Sequence, residues 1–256
     1  MSGTGERWFL LNATPDVHRQ IESDRSLHPG PGPRDTPLAG VLLTDAEFDH
    51  TVGLLLLREG SALTVYGTAV VLEALADRFP VRDLLRDYAD WSWCETQLGK
   101  PIQLDDRLQA TPFAVGSKSP RYVSEPRKAD SWVVGYRLED TTTGGVAVYA
   151  PSVSAWDPAL VDQFAGAECV FVDGTFWTDD EMARAGTGSR TGRSMGHLPI
   201  SGPDGSAVRL AELAGVRRIY THINNTNPIL DEGSAERREL SELGIDVGRA
   251  GLEIEL

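Results

Sequence analysis

Leu42-Leu43-Thr44-Asp45-Ala46-Glu47-Phe48-Asp49-His50 leaves an apolar run (Ala39, Val41, Leu42, Leu43) that has the pattern of a buried strand, and then turns polar at once. An amphipathic run from Thr51 to Glu59 follows, so the expected order is strand, loop, helix. Ligands of open α/β sheets bind at the carboxyl ends of strands. Three carboxylates and a histidine within six residues at such a place therefore point to a metal or catalytic site. Asp49 equally suits a helix N-cap, and on this stretch alone both readings stay open.

The pattern recurs further along. Cys169 to Val172 reads as a second buried strand ending in Asp173-Gly174-Thr175, and Arg217 to Tyr220 as a third ending in Thr221-His222-Ile223-Asn224-Asn225-Thr226-Asn227-Pro228. Asp49, His50, Asp173 and His222 together offer two imidazoles and two carboxylates, a ligand set that suits zinc, iron or manganese. Around them, strands are expected at Trp8–Leu11, Leu63–Tyr66, Leu108–Val115, Ser131–Leu138 and Val146–Tyr149, with a hairpin turn over Thr142 to Gly145. Helices are expected at Val17–Ile21, Ala69–Arg78, Asp83–Trp93, Asp157–Ala165 and Ser234–Leu243, and short strands near Val247 and Leu252. Ser234 and Arg237 leave only a partial capping box. His18 and His28 fall in turn-rich surface stretches, and Trp91 and Trp93 read as packing residues.

With 256 residues, 41% of them hydrophobic, the chain can bury one large core or two small ones, and a single domain over 1–256 is expected. A net charge of −14 and a pI near 4.7 exclude nucleic acid and anionic membrane surfaces as partners, because both demand a basic patch. Cys94 and Cys169 lack CxxC spacing, which argues against a disulfide framework or a thiolate zinc site and fits a reducing cytosol. No apolar run approaches the roughly 20 residues of a membrane span, and Ser2 to Arg7 lack a signal-peptide core, so a cytoplasmic chain is expected.

Four segments resemble one family: Leu43 to His50, Val172 to Met182, Arg190-Thr191-Gly192-Arg193-Ser194-Met195-Gly196-His197-Leu198, and His222 to Leu230. They are similar to the pyrroloquinoline quinone biosynthesis protein B (PqqB) family, within the metallo-beta-lactamase superfamily, and the likeness runs from about Trp8 to the carboxyl terminus. The resemblance implies an α/β fold of the αββα sandwich type with a metal at the edge between two sheets. The superfamily usually carries His-x-His-x-Asp-His; on that template the two leading histidines fall on Asp45 and Glu47, and a third, expected after Thr111-Pro112-Phe113, is replaced by Gly116 and Ser117. What the template keeps is Asp49, His50 and His222, with Asp173 as the normally bridging carboxylate. One metal is expected rather than two.

A mononuclear site of imidazoles and carboxylate with open positions suits non-haem iron(II), with zinc as the alternative in isolated protein. The resemblance implies an iron-dependent, dioxygen-using hydroxylase acting on the tyrosine ring of a small glutamate–tyrosine peptide. His197 is then an acid, a base or a substrate contact; Arg190 and Arg193 are candidates for holding substrate carboxylates. Asn224 and Asn225 join them as candidate substrate contacts. A metal-dependent hydrolase and a carrier of the quinone or its precursor toward the periplasm remain rival readings, and a homodimer stays open.

Two departures from the family pattern stand out. Relatives carry, ahead of the strand at Trp8, a further strand, a glycine-rich loop and a zinc-binding cysteine cluster that this sequence does not show. Either the natural protein extends further or its sheet lacks the first edge strand. Glu47 also stands where the family commonly has a neutral amide, and a carboxylate there would raise a neighbouring pKa or draw a second cation.

Overall fold

The computed structural model describes residues 1–32, 35–58, 62–129 and 131–256. The chain divides into two compact units, Met1–Pro112 with Ser117–Val133 and Phe113–Gly116 with Val134–Leu256.

The first unit is built on a parallel sheet. Its strands are β1 (Trp8–Leu11), β2 (Leu38–Leu42), β3 (Thr64–Thr68) and β4 (Ser92–Thr96), hydrogen-bonded in that order. Val41, Leu42 and Val65 are fully buried, as strands covered on both faces require. Helix α1 (Val17–Ser23) follows β1 and α2 (Phe48–Thr51) follows β2; α3 (Ala69–Asp77) and α4 (Val81–Leu85) lie between β3 and β4. At the β1 edge, Phe9 and Met1 exchange two backbone bonds, Phe9 N to Met1 O at 2.8 Å and Met1 N to Phe9 O at 2.9 Å.

Two expectations change here. The helix predicted over Thr51 to Glu59 is instead α2 followed by a 3-10 turn at Val52–Leu57, and Glu59 lies outside the described residues. Ala13 N takes the His50 carbonyl and Gly53 N donates to Ala13 O, so the α-helical ladder is broken by the turn after β1. The predicted helix over Asp83–Trp93 stops at Leu85, and Trp93 pairs with Val65 in β4. Aromatic residues spaced by two suit a strand better than a helix, and Arg82 covers the Trp93 ring at 5.8 Å. His18 and His28 are exposed, as expected. A short β5 (Ile102–Gln103), unforeseen in the sequence, pairs antiparallel with the start of β6 (Leu108–Gly116).

In the second unit, β7 (Val133–Asp140) and β8 (Val146–Ala150) form the expected hairpin, its turn held by Asp140 Oδ1 accepting from Thr142 and Thr143 N. Helix α5 (Pro158–Phe164), capped by Asp157, leads to β9 (Cys169–Asp173). The short helices α6 (Glu181–Arg184), α7 (Gly192–Met195) and α8 (Ser206–Ala211) precede β10 (Arg217–Thr221), and α9 (Ala235–Glu242) precedes β11 (Asp246–Val247). Ser234 accepts from Arg237 N at the start of α9, and Leu252 lies in no strand. The order β11-β10-β9-β8-β7-β6 is parallel from β11 to β8. Val148, Val170, Val172, Leu210, Tyr220 and Ile229 fill its core. Among the described residues no helix is long and apolar enough to cross a membrane.

Candidate metal centre

In the first unit the loop after β2 is pinned from β1. Asn12, with φ +63°, donates from its amide to Thr44 Oγ1 (2.9 Å) and accepts from Thr44 N (2.8 Å). This sets Asp45 deep in the interior, where its carboxylate accepts from Glu47 N (3.0 Å) and Thr44 Oγ1 (2.8 Å) and meets His50 Nδ1 at 2.8 and 2.7 Å. Burial alone would lower the His50 pKa, but the Asp45 charge and hydrogen bond outweigh it and push it up to about 9. Burial likewise opposes ionisation of Asp45, and His50 nevertheless holds it below the ordinary carboxylate range.

Asp49 is not the helix cap. The N-cap is Glu47, without a side-chain bond; Asp49 lies in the first turn, 63% exposed, with Oδ2 4.0 Å from His50 Nε2. Glu47 is half-buried and its pKa is raised by that burial, against the pull of Lys118. Phe48, 51% exposed, stacks on Tyr122 at 4.8 Å, and the Tyr122 hydroxyl donates to Ala46 O at 2.6 Å.

In the second unit the register of β9 with β10 sets Asp173 opposite Thr221, so the two carboxyl ends are level. Gly174 permits the close approach: a Cβ there would lie 2.9 Å from Tyr220 Cβ and 3.0 Å from Thr221 O. Asp173 is fully buried and accepts from Val153 N (2.8 Å) and His197 Nδ1 (2.8 Å) on Oδ2, and from Thr175 N (3.0 Å) and Thr175 Oγ1 (2.6 Å) on Oδ1. Against the burial penalty, His197 and His222 hold its pKa down. The His197 and His222 rings stack at 5.3 Å and 21°. His222 itself has φ +55°, an uncommon backbone for a non-glycine residue that structures retain where the surroundings enforce it. The enforcing contacts are Asn224 N to Thr175 O (3.1 Å), Asn227 Nδ2 to Gly174 O (2.8 Å) and Thr226 Oγ1 to buried Glu181 Oε1 (2.5 Å).

Of the other predicted residues, Asn224 is half-buried with its amide donating to Thr226 Oγ1 at 2.6 Å, and Asn225 is exposed. Arg190 and Arg193 are exposed; the first donates to Ser194 O at 3.1 Å and the second bonds Asp179 through its backbone. Sequence reading missed Asp45 as the partner of His50, Thr175 as the link between Asp173 and the imidazoles, and Glu181 as a brace. The only signal for Thr175 was its place two residues after a strand-end aspartate.

The beta-lactamase superfamily domain model matches residues 7–223. Coenzyme PQQ synthesis protein B of Pseudomonas syringae pv. syringae (strain B728a) is 41% identical over 262 residues, covering 100% of this chain and 86% of the relative. The chain belongs to the PqqB family. Among solved structures, Zn(2+)-bound PqqB from Methylobacterium extorquens is 36% identical with a TM-score of 0.90, covering 100% of this chain and 86% of that one. The metallo-beta-lactamase fold protein YhfI from Bacillus subtilis, at 15% identity and TM-score 0.65 over 97% of this chain and 87% of its own, shares the fold.

This PqqB-family chain thus has the metallo-beta-lactamase fold, and its donors fit a divalent metal. In the second unit, ligand atoms of Asp173, His197 and His222 lie within 4.8 Å of one another, and mixed imidazole and carboxylate donors suit zinc or iron. A carboxylate has about four lone-pair positions. Asp173 already receives four protein donors, so it reaches a metal only by giving one up.

Proposed function

We propose that this chain takes part in coenzyme PQQ synthesis as a mononuclear non-haem iron, dioxygen-dependent hydroxylase of the tyrosine ring in a small glutamate–tyrosine peptide. The observation that carries the reading is the place of Asp45. It occupies the position of a leading metal-ligand histidine of the superfamily, yet its carboxylate is buried and turned onto His50. A paired-metal clamp of the hydrolase kind has lost a ligand there, while the donors for one metal remain.

In this reading His222 of the second unit would hold the metal, and Asp49 and His50, which the family resemblance also assigns as ligands, would offer further donors. Asp173, assigned as a ligand from the family resemblance, serves instead as the buried carboxylate behind the imidazoles, because its lone pairs are taken. The zinc named for the Methylobacterium extorquens relative supports a metal here, and iron is our choice for turnover. When bound, iron supplies the activation of dioxygen. The chain's own residues do the rest. Asp45 fixes the His50 ring so that Nε2 is presented, and the exposed guanidiniums of Arg190 and Arg193 take the peptide carboxylates. His197, held at Nδ1 by Asp173, exchanges a proton with the ring hydroxyl at Nε2, and Asn224 and Asn225 border the peptide. The free thiols of Cys94 and Cys169 fit a cytosolic setting.

The test is anaerobic reconstitution with iron(II), counting metal per chain in the protein and in His222→Ala. One iron that is lost in the variant, with oxygen consumed when a glutamate–tyrosine peptide is added, is the expected result. Two zinc ions per chain would favour a hydrolase, and no metal would favour a carrier of the quinone or its precursor.

A further inference from the structure

The Thr175 hydroxyl has one proton and three neighbours. Its Oγ1 lies 2.6 Å from Asp173 Oδ1, 2.7 Å from His222 Nδ1 and 3.1 Å from His197 Nδ1. Asp173 also faces two backbone N–H groups, from Val153 and Thr175, which can only donate, and a carboxylate so surrounded is an acceptor. The Thr175 proton therefore goes to Asp173, and its lone pairs are left for the imidazoles. A 2.7 Å contact between that oxygen and His222 Nδ1 then requires the proton on Nδ1. His197 Nδ1 makes its shorter bond, 2.8 Å, directly to Asp173 and only the longer one to Thr175, so the hydroxyl chiefly serves His222.

We infer that Thr175 is a positioning residue, carrying the charge of Asp173 one bond further to His222 and holding that ring as the Nδ1–H tautomer with Nε2 as its basic atom. The arrangement differs from those of His50 and His197, which a carboxylate touches directly. The strained backbone of His222 is consistent with a ring brought to a fixed partner. The consequence for metal affinity rests on the preceding assignment of His222 as a ligand; the tautomer does not. A ring N–H anchored in this way orients a ligand and raises its basicity, and loss of such a partner typically costs about 10- to 100-fold in metal affinity.

The experiment is a long-range proton–nitrogen correlation spectrum of the histidine rings in nitrogen-15-labelled, metal-free protein, for the natural chain, Thr175→Val and Thr175→Ser. The expected result is Nδ1–H at His222 in the natural chain and in the Ser variant, and its loss in the near-isosteric Val variant. Zinc(II) affinity by calorimetry then falls about 10- to 100-fold in Val and is restored in Ser. Nε2–H at His222 in the natural chain overturns the inference, whether or not the Val variant folds, and so does an unchanged tautomer in a folded Val variant. A tautomer that changes as stated while zinc affinity stays constant supports the inference and overturns His222 as a ligand.

Discussion

The carboxylate of Asp45 meets Nδ1 of His50 at 2.8 and 2.7 Å, with both side chains at most 5% exposed. They lie five positions apart in the sequence, and Asn12 and Thr44 hold the loop between β2 and α2 in which the bond closes. Asp45→Asn keeps the shape and removes the charge. Metal affinity should fall about 10- to 100-fold, and the metal-free chain should lose on the order of 1–3 kcal/mol in urea unfolding. Unchanged zinc affinity by calorimetry would sink the orienting role.

The same pair makes stability depend on pH. In the folded chain the Asp45 charge pushes the His50 pKa up to about 9, from the 6.5 of an ordinary imidazole. Its protonation therefore contributes stability that is complete below pH 6.5 and lost as pH rises through 9. Asp45, depressed from 3.8, contributes stability that is present above pH 3.8 and lost as pH falls through its lower folded value. The melting temperature of metal-free protein should fall between pH 6.5 and 9, and Asp45→Asn should flatten that fall. Calorimetric melts across this window check it, and a flat natural profile would contradict it.

Glu181 ties two loops of the second unit together, accepting from Trp177 N at 2.6 Å and from Thr226 Oγ1 at 2.5 Å. Glu181→Ala strands both donors away from their partner. Leaving the buried Trp177 N–H unsatisfied costs about 1–3 kcal/mol, and the part-buried Thr226 hydroxyl adds less, so the variant should show a clear loss in urea unfolding. A change under about 0.5 kcal/mol, the range of an ordinary surface substitution, would mean that water replaces the carboxylate.

Gly174→Ala should destabilise by about 1–3 kcal/mol, because its methyl group would press on Tyr220 Cβ at 2.9 Å and Thr221 O at 3.0 Å. The strain falls between β9 and β10, so zinc affinity should drop along with the unfolding free energy. Wild-type values of both would show that the strand ends can part without cost.

The sequence by itself determined the strands and what stands at their ends. Trp8–Leu11 is a strand as read, and the strands read at Cys169–Val172 and Arg217–Tyr220 are β9 and β10, each extended by one residue. The β9 run was legible because burial on both faces writes a continuous apolar run, whereas β10 sets exposed Arg217 and half-buried Arg218 before buried Ile219 and Tyr220. The helix read through Trp93 failed because Asp83 to Leu85 do lie in a helix while Trp93 belongs to a strand, and short apolar patterns fit both periods. Only the tertiary structure decided which polar groups meet. Thr175 reaches His197 across 22 residues and His222 across 47, and Asn12 reaches Thr44 across 32. Such pairings depend on the register of neighbouring strands and on single residues with positive φ, and no local periodicity encodes either.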